Sequence, residues 1–316
     1  MKRNAYVVSL CGGLGNQFFE LANALAVTNK PILLESKLGL PRLNESGVPE
    51  IMSFSLPKRV TLGTFRKPSI LLSKTASYLL RSRSLPNTFE HSSIFRFVIT
   101  SIANVLFSSY FNRITFLAES AGLGVTSVRQ SSTHNFQIGY FQSHLTTSKS
   151  EVFEEMKMIS IPHLSQAVTE ILDQAQHKRV LVIHIRLTDY LSETNFGIPN
   201  SSYYSEALSL ALGLRSFSDI WVFSDEVELA KKRVHIDVDL PVTWFNDFDL
   251  STAETFTVMR QGQGFIIANS SFSWWAARLS LSALPVVIAP TPWFKNLKEP
   301  DNLIPPGWVR IDANYD

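Results

Sequence analysis

Apolar residues recur along this chain in two alternating rhythms. Short runs rich in Val, Ile and Leu give way to stretches whose apolar positions return every three or four residues, the mark of buried strands alternating with covering helices. Residues 5–11 predict a first strand, and Gly12, Gly13 and Gly15 a turn. Residues 16–28 predict a helix with Phe18, Leu21, Ala22, Leu25 and Ala26 on one face, and 31–35 a second strand. The rhythm fades over residues 39–113, where only 69–81 and 93–107 predict helices. It returns as strands at 136–140, 179–185, 220–223, 242–245, 264–268 and 285–289, the last of the chain. Between them 150–158, 164–175, 202–212, 227–233, 251–260 and 271–281 predict helices, the 251–260 helix opened by a capping box of Ser251 and Glu254. Two such α/β series joined near residues 155–178 predict two facing Rossmann-like domains with a cleft between them. The domains are residues 1–160, with a helical insertion, and residues 161–316.

Polar residues interrupt this pattern in a few places, and those places carry the chemistry. The strand at 179–185 ends in His184, Arg186 and Asp189, groups that a strand buried on both faces does not easily bury. Ligands bind outside the carboxyl ends of strands in open α/β sheets, and an arginine fork suits a phosphate. An ordinary surface ion pair between Arg186 and Asp189 accounts for the same residues. Ser224 and Asp225 close the next strand, Asp225 either accepting hydrogen bonds from a base or ribose or capping the helix that follows. Asn269, Ser270, Ser271 and Ser273 stand between a strand and a helix, where free N–H groups and hydroxyls attract an anion. The turn at Gly13 and Gly15 has Phe18 where the dinucleotide fingerprint requires a third glycine.

Composition narrows the classes. A chain of 316 residues with 45% hydrophobic and 18% charged content is globular and large enough for two cores. One cysteine, Cys11, excludes an internal disulfide and a cysteine zinc cluster, and fits a reducing compartment. The apolar run after Lys2 and Arg3 is too short for a signal peptide, and no stretch is long enough to span a bilayer. The expected location is cytoplasmic. The net charge of +2 gives no reason to expect a nucleic-acid partner, but residues 58–113 hold nine cations against Glu90 alone. That region either touches the inner face of an anionic membrane or forms a solvated basic face.

Together these segments carry a family resemblance. GGLGNQ at 12–17, GYFQS at 139–143, HIRLTDY at 184–190, FSDE at 223–226, NSSFSWWAA at 269–277 and PTPWF at 290–294 resemble, in order, motifs of the bacterial α-1,2-fucosyltransferases. The resemblance implies a GT-B architecture with an acceptor-side N-terminal domain and a C-terminal domain holding GDP-fucose. It implies inverting transfer of L-fucose to a galactose 2-hydroxyl of an oligosaccharide or lipid-linked glycan, with no cofactor and no metal. Arg186 matches the arginine that holds the donor's β-phosphate in the wider fucosyltransferase group. Leu187 and Thr188 depart from that group's motif, so a second arginine is missing. The catalytic residues so implied are Arg186, Asp189 and His184, the last two as candidate bases with Glu35 as a third. The donor-binding set is Gly13, Gly15, Asn16, Gln17, Ser224, Asp225, Asn269, Ser270, Ser271 and Ser273.

Rival expectations are a transferase for another GDP-sugar, an NAD-dependent oxidoreductase and a nucleotide-binding protein without catalysis. Two acidic pairs, Asp237 with Asp239 and Asp247 with Asp249, have the spacing of a metal–diphosphate site, but both fall in polar connections.

Overall fold

The structure, a computed structural model, describes residues 5–39, 41–63, 114–116, 136–246, 250–300 and 302–315. The chain divides into two compact units: unit 1 is Met1–Ser160 with Pro300–Ile304, and unit 2 is Ile161–Glu299 with Pro305–Asp316. Each is an α/β layer structure around a parallel sheet, as the apolar rhythm predicts. The helices expected at 69–81 and 93–107, and most of the basic region, lie outside the described residues.

In unit 1, β1 (Tyr6–Ser9), β2 (Ile32–Glu35), β3 (Val60–Gly63), β4 (Ile114–Phe116) and β5 (Phe136–Ile138) lie in the order β3-β2-β1-β5-β4, every pair parallel. The chain builds outward from β1 to one edge and then crosses to the other side, so β1 and β5 flank the switch point. Helix α1 (Leu14–Val27) follows the glycine turn, and α2 (Ser150–Lys157) packs against it. The Phe18 ring meets Phe54 edge-on, with 5.4 Å between centroids.

Helix α1 is buried beyond its apolar face. Gln17, Glu20 and Asn23, three residues apart, form a polar stripe that is almost wholly buried. Each has a partner: Gln17 holds the 41–51 segment, Glu20 accepts from the Cys11 N–H, and Asn23 donates to Gln137. A buried polar group without such a bond would cost about 1–3 kcal/mol.

In unit 2, β6 (Val180–Ile185), β7 (Asp219–Ser224), β8 (Val242–Asn246), β9 (Gly264–Ile266), β10 (Val286–Thr291) and β11 (Val309–Asp312) lie in the order β11-β10-β9-β6-β7-β8, again all parallel. All six residues of β6 are buried, which is why its sequence reads as a continuous apolar run. Helix α6 (Thr252–Met259) packs against both α3 (Gln166–Ala175) and α7 (Ser271–Arg278), while α4 (Ser201–Leu214) covers β9, β10 and β11. Helix α5 (Val227–Arg233) lies over β7 and β8. The capping box of Ser251 and Glu254 forms as predicted.

The sequence pattern ends the sheet at residues 285–289; the structure adds β11 beyond it. That strand reads Val-Arg-Ile-Asp and buries Ile311 alone, so as an edge strand it lacks the apolar run that marks its neighbours. The helix expected over 271–281 stops at Arg278.

Burial raises the Glu20 carboxyl well above the usual carboxylate range, against the opposing pull of its hydrogen bonds from Cys11. The folded chain therefore keeps a proton that the unfolded chain loses above its ordinary value of 4.5, so this group's contribution to stability falls as pH rises through and beyond that value. Thermal melts between about pH 5 and pH 8 should show the wild type losing more stability with rising pH than Glu20→Gln. Parallel curves would contradict the account.

Candidate active site

The polar residues of unit 2 gather where β6 and β9 part. The chain lays β7 and β8 on one side of β6, and β10 and β11 on the far side of β9, so the carboxyl ends of β6 and β9 flank the switch point of this sheet. Open α/β sheets bind ligands in the crevice at such a point.

Arg186 is the first residue past β6. Its Nε donates to Asp189 Oδ1 at 2.8 Å, and its Nη1 lies 3.2 Å from Asp225 Oδ2. Asp225 also accepts from the N–H groups of Leu187 (2.8 Å) and Thr188 (3.1 Å) and from the Thr188 hydroxyl. Burial works to raise the Asp225 carboxyl, but the Arg186 charge, the Thr188 hydroxyl and the Leu187 N–H outweigh it and hold it low. Burial likewise works to lower the Arg186 guanidinium, and Asp189 and Asp225 reverse the sign. The side chain stays 18% exposed. Its Nη2 makes no protein hydrogen bond among the described residues, leaving one side of the fork for a ligand.

His184 and Asn269 stand on the two sides of the switch point. The His184 ring is buried beside Phe272, 6.1 Å between centroids, and its Nδ1 has no partner among the described residues. Burial first, and then the Arg186 charge, lower the imidazole to about 4 against the pull of Asp225 and Asp189, so the ring is neutral at neutral pH. Asn269 donates from Nδ2 to the carbonyls of Phe196 (2.9 Å) and Gly197 (3.2 Å), and its own carbonyl accepts from the Tyr190 hydroxyl. Its Oδ1, also buried, has no partner among the described residues. The PTPWF segment supports this arrangement from behind, since Phe294 packs on Phe196 at 5.6 Å. Buried polar atoms are nearly always paired, so two orphans at one sheet edge mark a place completed by something else.

Several expected donor-binding residues make hydrogen bonds within the chain. Ser270 caps α7 by accepting from the Phe272 N–H, and the fully buried Ser273 donates to the Ser270 carbonyl at 3.2 Å. Of the three serines Ser271, half-buried, keeps its hydroxyl out of protein hydrogen bonds among the described residues. The Ser224 hydroxyl accepts from the Glu226 N–H.

In unit 1 the glycine turn is likewise occupied. Between Gly13 and Gly15 the Leu14 N–H donates to Glu50 at 2.6 Å, so a carboxylate of the chain itself already sits at the start of α1. Gln17 donates to the Gly12 and Arg42 carbonyls and accepts from the Ile51 N–H. Asn16 is half-buried and accepts from Gln142 at 2.8 Å. Glu35, the third candidate base, is fully buried and holds the N–H groups of Lys37 and Leu38. Sequence reading missed Glu50 because it reaches its partner across 36 positions, with no local signal.

Among the described residues no three His, Cys, Asp or Glu side chains gather as a metal site. Asp237 and Asp239 are exposed on the connection entering β8, at the amino edge of the sheet and away from the switch point. Asp247 and Asp249 lie outside the described residues.

The sequence profile of Glycosyl transferase family 11 matches residues 116–312. The chain belongs to that family. This family 11 glycosyltransferase is 26% identical to an alpha-1,2-colitosyltransferase of Escherichia coli over 97% of its own length and 98% of that protein's. It is 27% identical to the O-antigen biosynthesis glycosyltransferase WbnK of Escherichia coli over 41% of its length and 43% of that protein's. Similar solved structures include the fucosyltransferase NodZ from Bradyrhizobium (TM-score 0.47, 13% identity, 95% of this chain and 100% of that one). POFUT1 in complex with GDP is another (TM-score 0.44, 13% identity, 92% and 99%).

Leu187, where the wider motif places a second arginine, is fully buried in the core with Ile185 and Ile198. Leu187→Arg should therefore not supply a second phosphate contact. It should destabilise unit 2 by about 3 kcal/mol or more, read in denaturant melts, because it buries an unpaired charge. A stable variant with tighter nucleotide binding would contradict this.

Proposed function

We propose that this family 11 glycosyltransferase moves L-fucose from GDP-fucose to the 2-hydroxyl of a galactose in a surface oligosaccharide, with inversion and without a metal ion. The observation that carries the donor side is Arg186. It is a cation fixed by two carboxylates at the switch point of a parallel sheet, with one nitrogen of its fork unused and two buried polar atoms unpaired, among the described residues, at the same sheet edge. In such a transfer the acceptor hydroxyl attacks the sugar carbon and gives its proton to a base, Asp189 and His184 being the candidates. Meanwhile the bond from sugar to phosphate breaks and negative charge grows on the departing diphosphate. A guanidinium already held in place offsets that charge without reorganising, and α7 presents its N-terminal dipole at the same edge. Asp189 and Asp225 orient Arg186, and neutral His184 offers the diphosphate or the sugar a hydrogen bond without adding charge. The acceptor side falls to residues 1–160. The working location is cytoplasmic, at the inner face of the membrane, and no described helix is long and apolar enough to cross one.

A second reading, transfer of colitose from its GDP ester, draws support from the near full-length similarity to the colitosyltransferase. Transfer from GDP-fucose, GDP-colitose and GDP-mannose to galactosides, followed by mass spectrometry with and without EDTA, separates the two. The fucosyl reading requires GDP-fucose to be the best donor and EDTA to have no effect. With the best donor, Arg186→Ala and Arg186→Lys should each lower kcat by about 100- to 1,000-fold, because a lysine cannot replace a fixed two-nitrogen fork. Near-normal turnover by either variant would overturn the role given to Arg186.

A further inference from the structure

Unit 1 has a switch point of its own, between β1 and β5. Among the described residues of this unit, two buried side-chain polar atoms have no partner: Ser9 Oγ and Gln142 Oε1. Ser9, the last residue of β1, is fully buried, whereas Gln142 lies beyond the end of β5 and is 6% exposed.

Gln142 is held rigidly on every side. Its Nε2 donates to Asn16 Oδ1 at 2.8 Å, which aligns the amide with the first turn of α1. Phe141 before it is fully buried at φ +54°, a left-handed conformation that a bulky residue adopts at a cost of about 1–3 kcal/mol. Ser143 after it caps a short 3-10 turn at His144–Ser148 by accepting from the Leu145 N–H, and the His144 N–H donates to the Asn302 carbonyl. The glycine turn closes against the same place. Gly12 sits at φ +67°, and a Cβ there would lie 2.5 Å from Asn16 Nδ2 and 3.2 Å from the Tyr140 ring. Strain, a close backbone approach and a buried tie thus combine to present one carbonyl oxygen with nothing bound to it.

We propose that Gln142 is a sugar-binding residue whose Oε1 accepts a hydrogen bond from a hydroxyl group of a glycan ligand. An unpaired buried acceptor requires a donor, and membership of a glycosyltransferase family makes that donor a sugar hydroxyl. The choice of ligand class rests on the family assignment, but not on fucose being the sugar transferred.

Saturation-transfer NMR with methyl β-galactoside, methyl α-fucoside and lactose, run on the wild type and two variants, tests this without any turnover. Gln142→Met keeps the volume and removes both polar atoms; binding of the recognised sugar should weaken about tenfold or more. Gln142→Glu keeps an acceptor oxygen and can take a hydrogen bond from the Asn16 amide turned over; binding should stay within about threefold of wild type. A purely structural amide predicts the reverse order, because a buried carboxylate disturbs packing more than a methionine does. Circular dichroism and melting temperature confirm that each variant is folded, and a variant that fails to fold leaves the other to decide. Equal sugar binding by wild type and Gln142→Met, or no sugar binding by the wild type, would overturn the proposal. A wild type that binds a sugar yet transfers none would instead count against the proposed function.

Discussion

The contact on which the site depends is the pair formed by Arg186 and Asp225, and strand register makes it. In the β6·β7 ladder Ile185 stands opposite Ser224, so the next residues along each strand, Arg186 and Asp225, emerge side by side from the sheet. Asp225 then binds the backbone of Leu187 and Thr188, fixing the path of the chain just beyond the cation. A shift of one residue in that register would send Arg186 to the other face of the sheet and break all of these contacts at once. Two carboxylates on one arginine offset much of its charge, so the pair does not create a strong positive field. It supplies a rigid fork whose Nη2 bonds neither carboxylate, and the dipole of α7 adds to it. Ligand recognition of this kind rests on geometry fixed in advance more than on bulk charge.

The two units solve the same problem in different ways. Each is a parallel sheet with a switch point in its strand order, and among the described residues each leaves a buried polar atom unpaired at that edge. In unit 2 the neighbours of these atoms are a cation, a neutral imidazole and a helix start, a set suited to phosphate and its ester. In unit 1 they are an amide pair, a tyrosine ring and a glycine turn in which the Leu14 N–H is already taken by Glu50. That set suits neutral hydroxyls better than an anion.

Much of unit 2 was legible in the sequence because its strands are buried on both faces and its helices carry ordinary caps. The run from Val180 to Ile185 and the capping box at Ser251 each have a local cause, and both appear where expected. Strand β11 did not, since an edge strand of four residues that buries Ile311 alone carries almost no periodic signal. The positions of His184, Arg186 and Asp225 could be read from strand ends alone. The use made of each residue could not, because hydrogen-bond partners are chosen by tertiary contact. Ser273 and Gln17 look like ligand donors in a motif and turn out to hold carbonyls of their own chain. Gln142 stands in the GYFQS segment, but nothing in the sequence shows that Asn16, 126 positions away, holds one end of its amide.

The central claim is that a diphosphate occupies the unused side of the Arg186 fork. A crystal structure of the chain with GDP bound tests it most directly. The account predicts a β-phosphate oxygen about 3 Å from Arg186 Nη2, with Asp189 still on Nε and Asp225 still on Nη1. A nucleotide bound elsewhere, with Arg186 touching nothing but its two carboxylates, would contradict it.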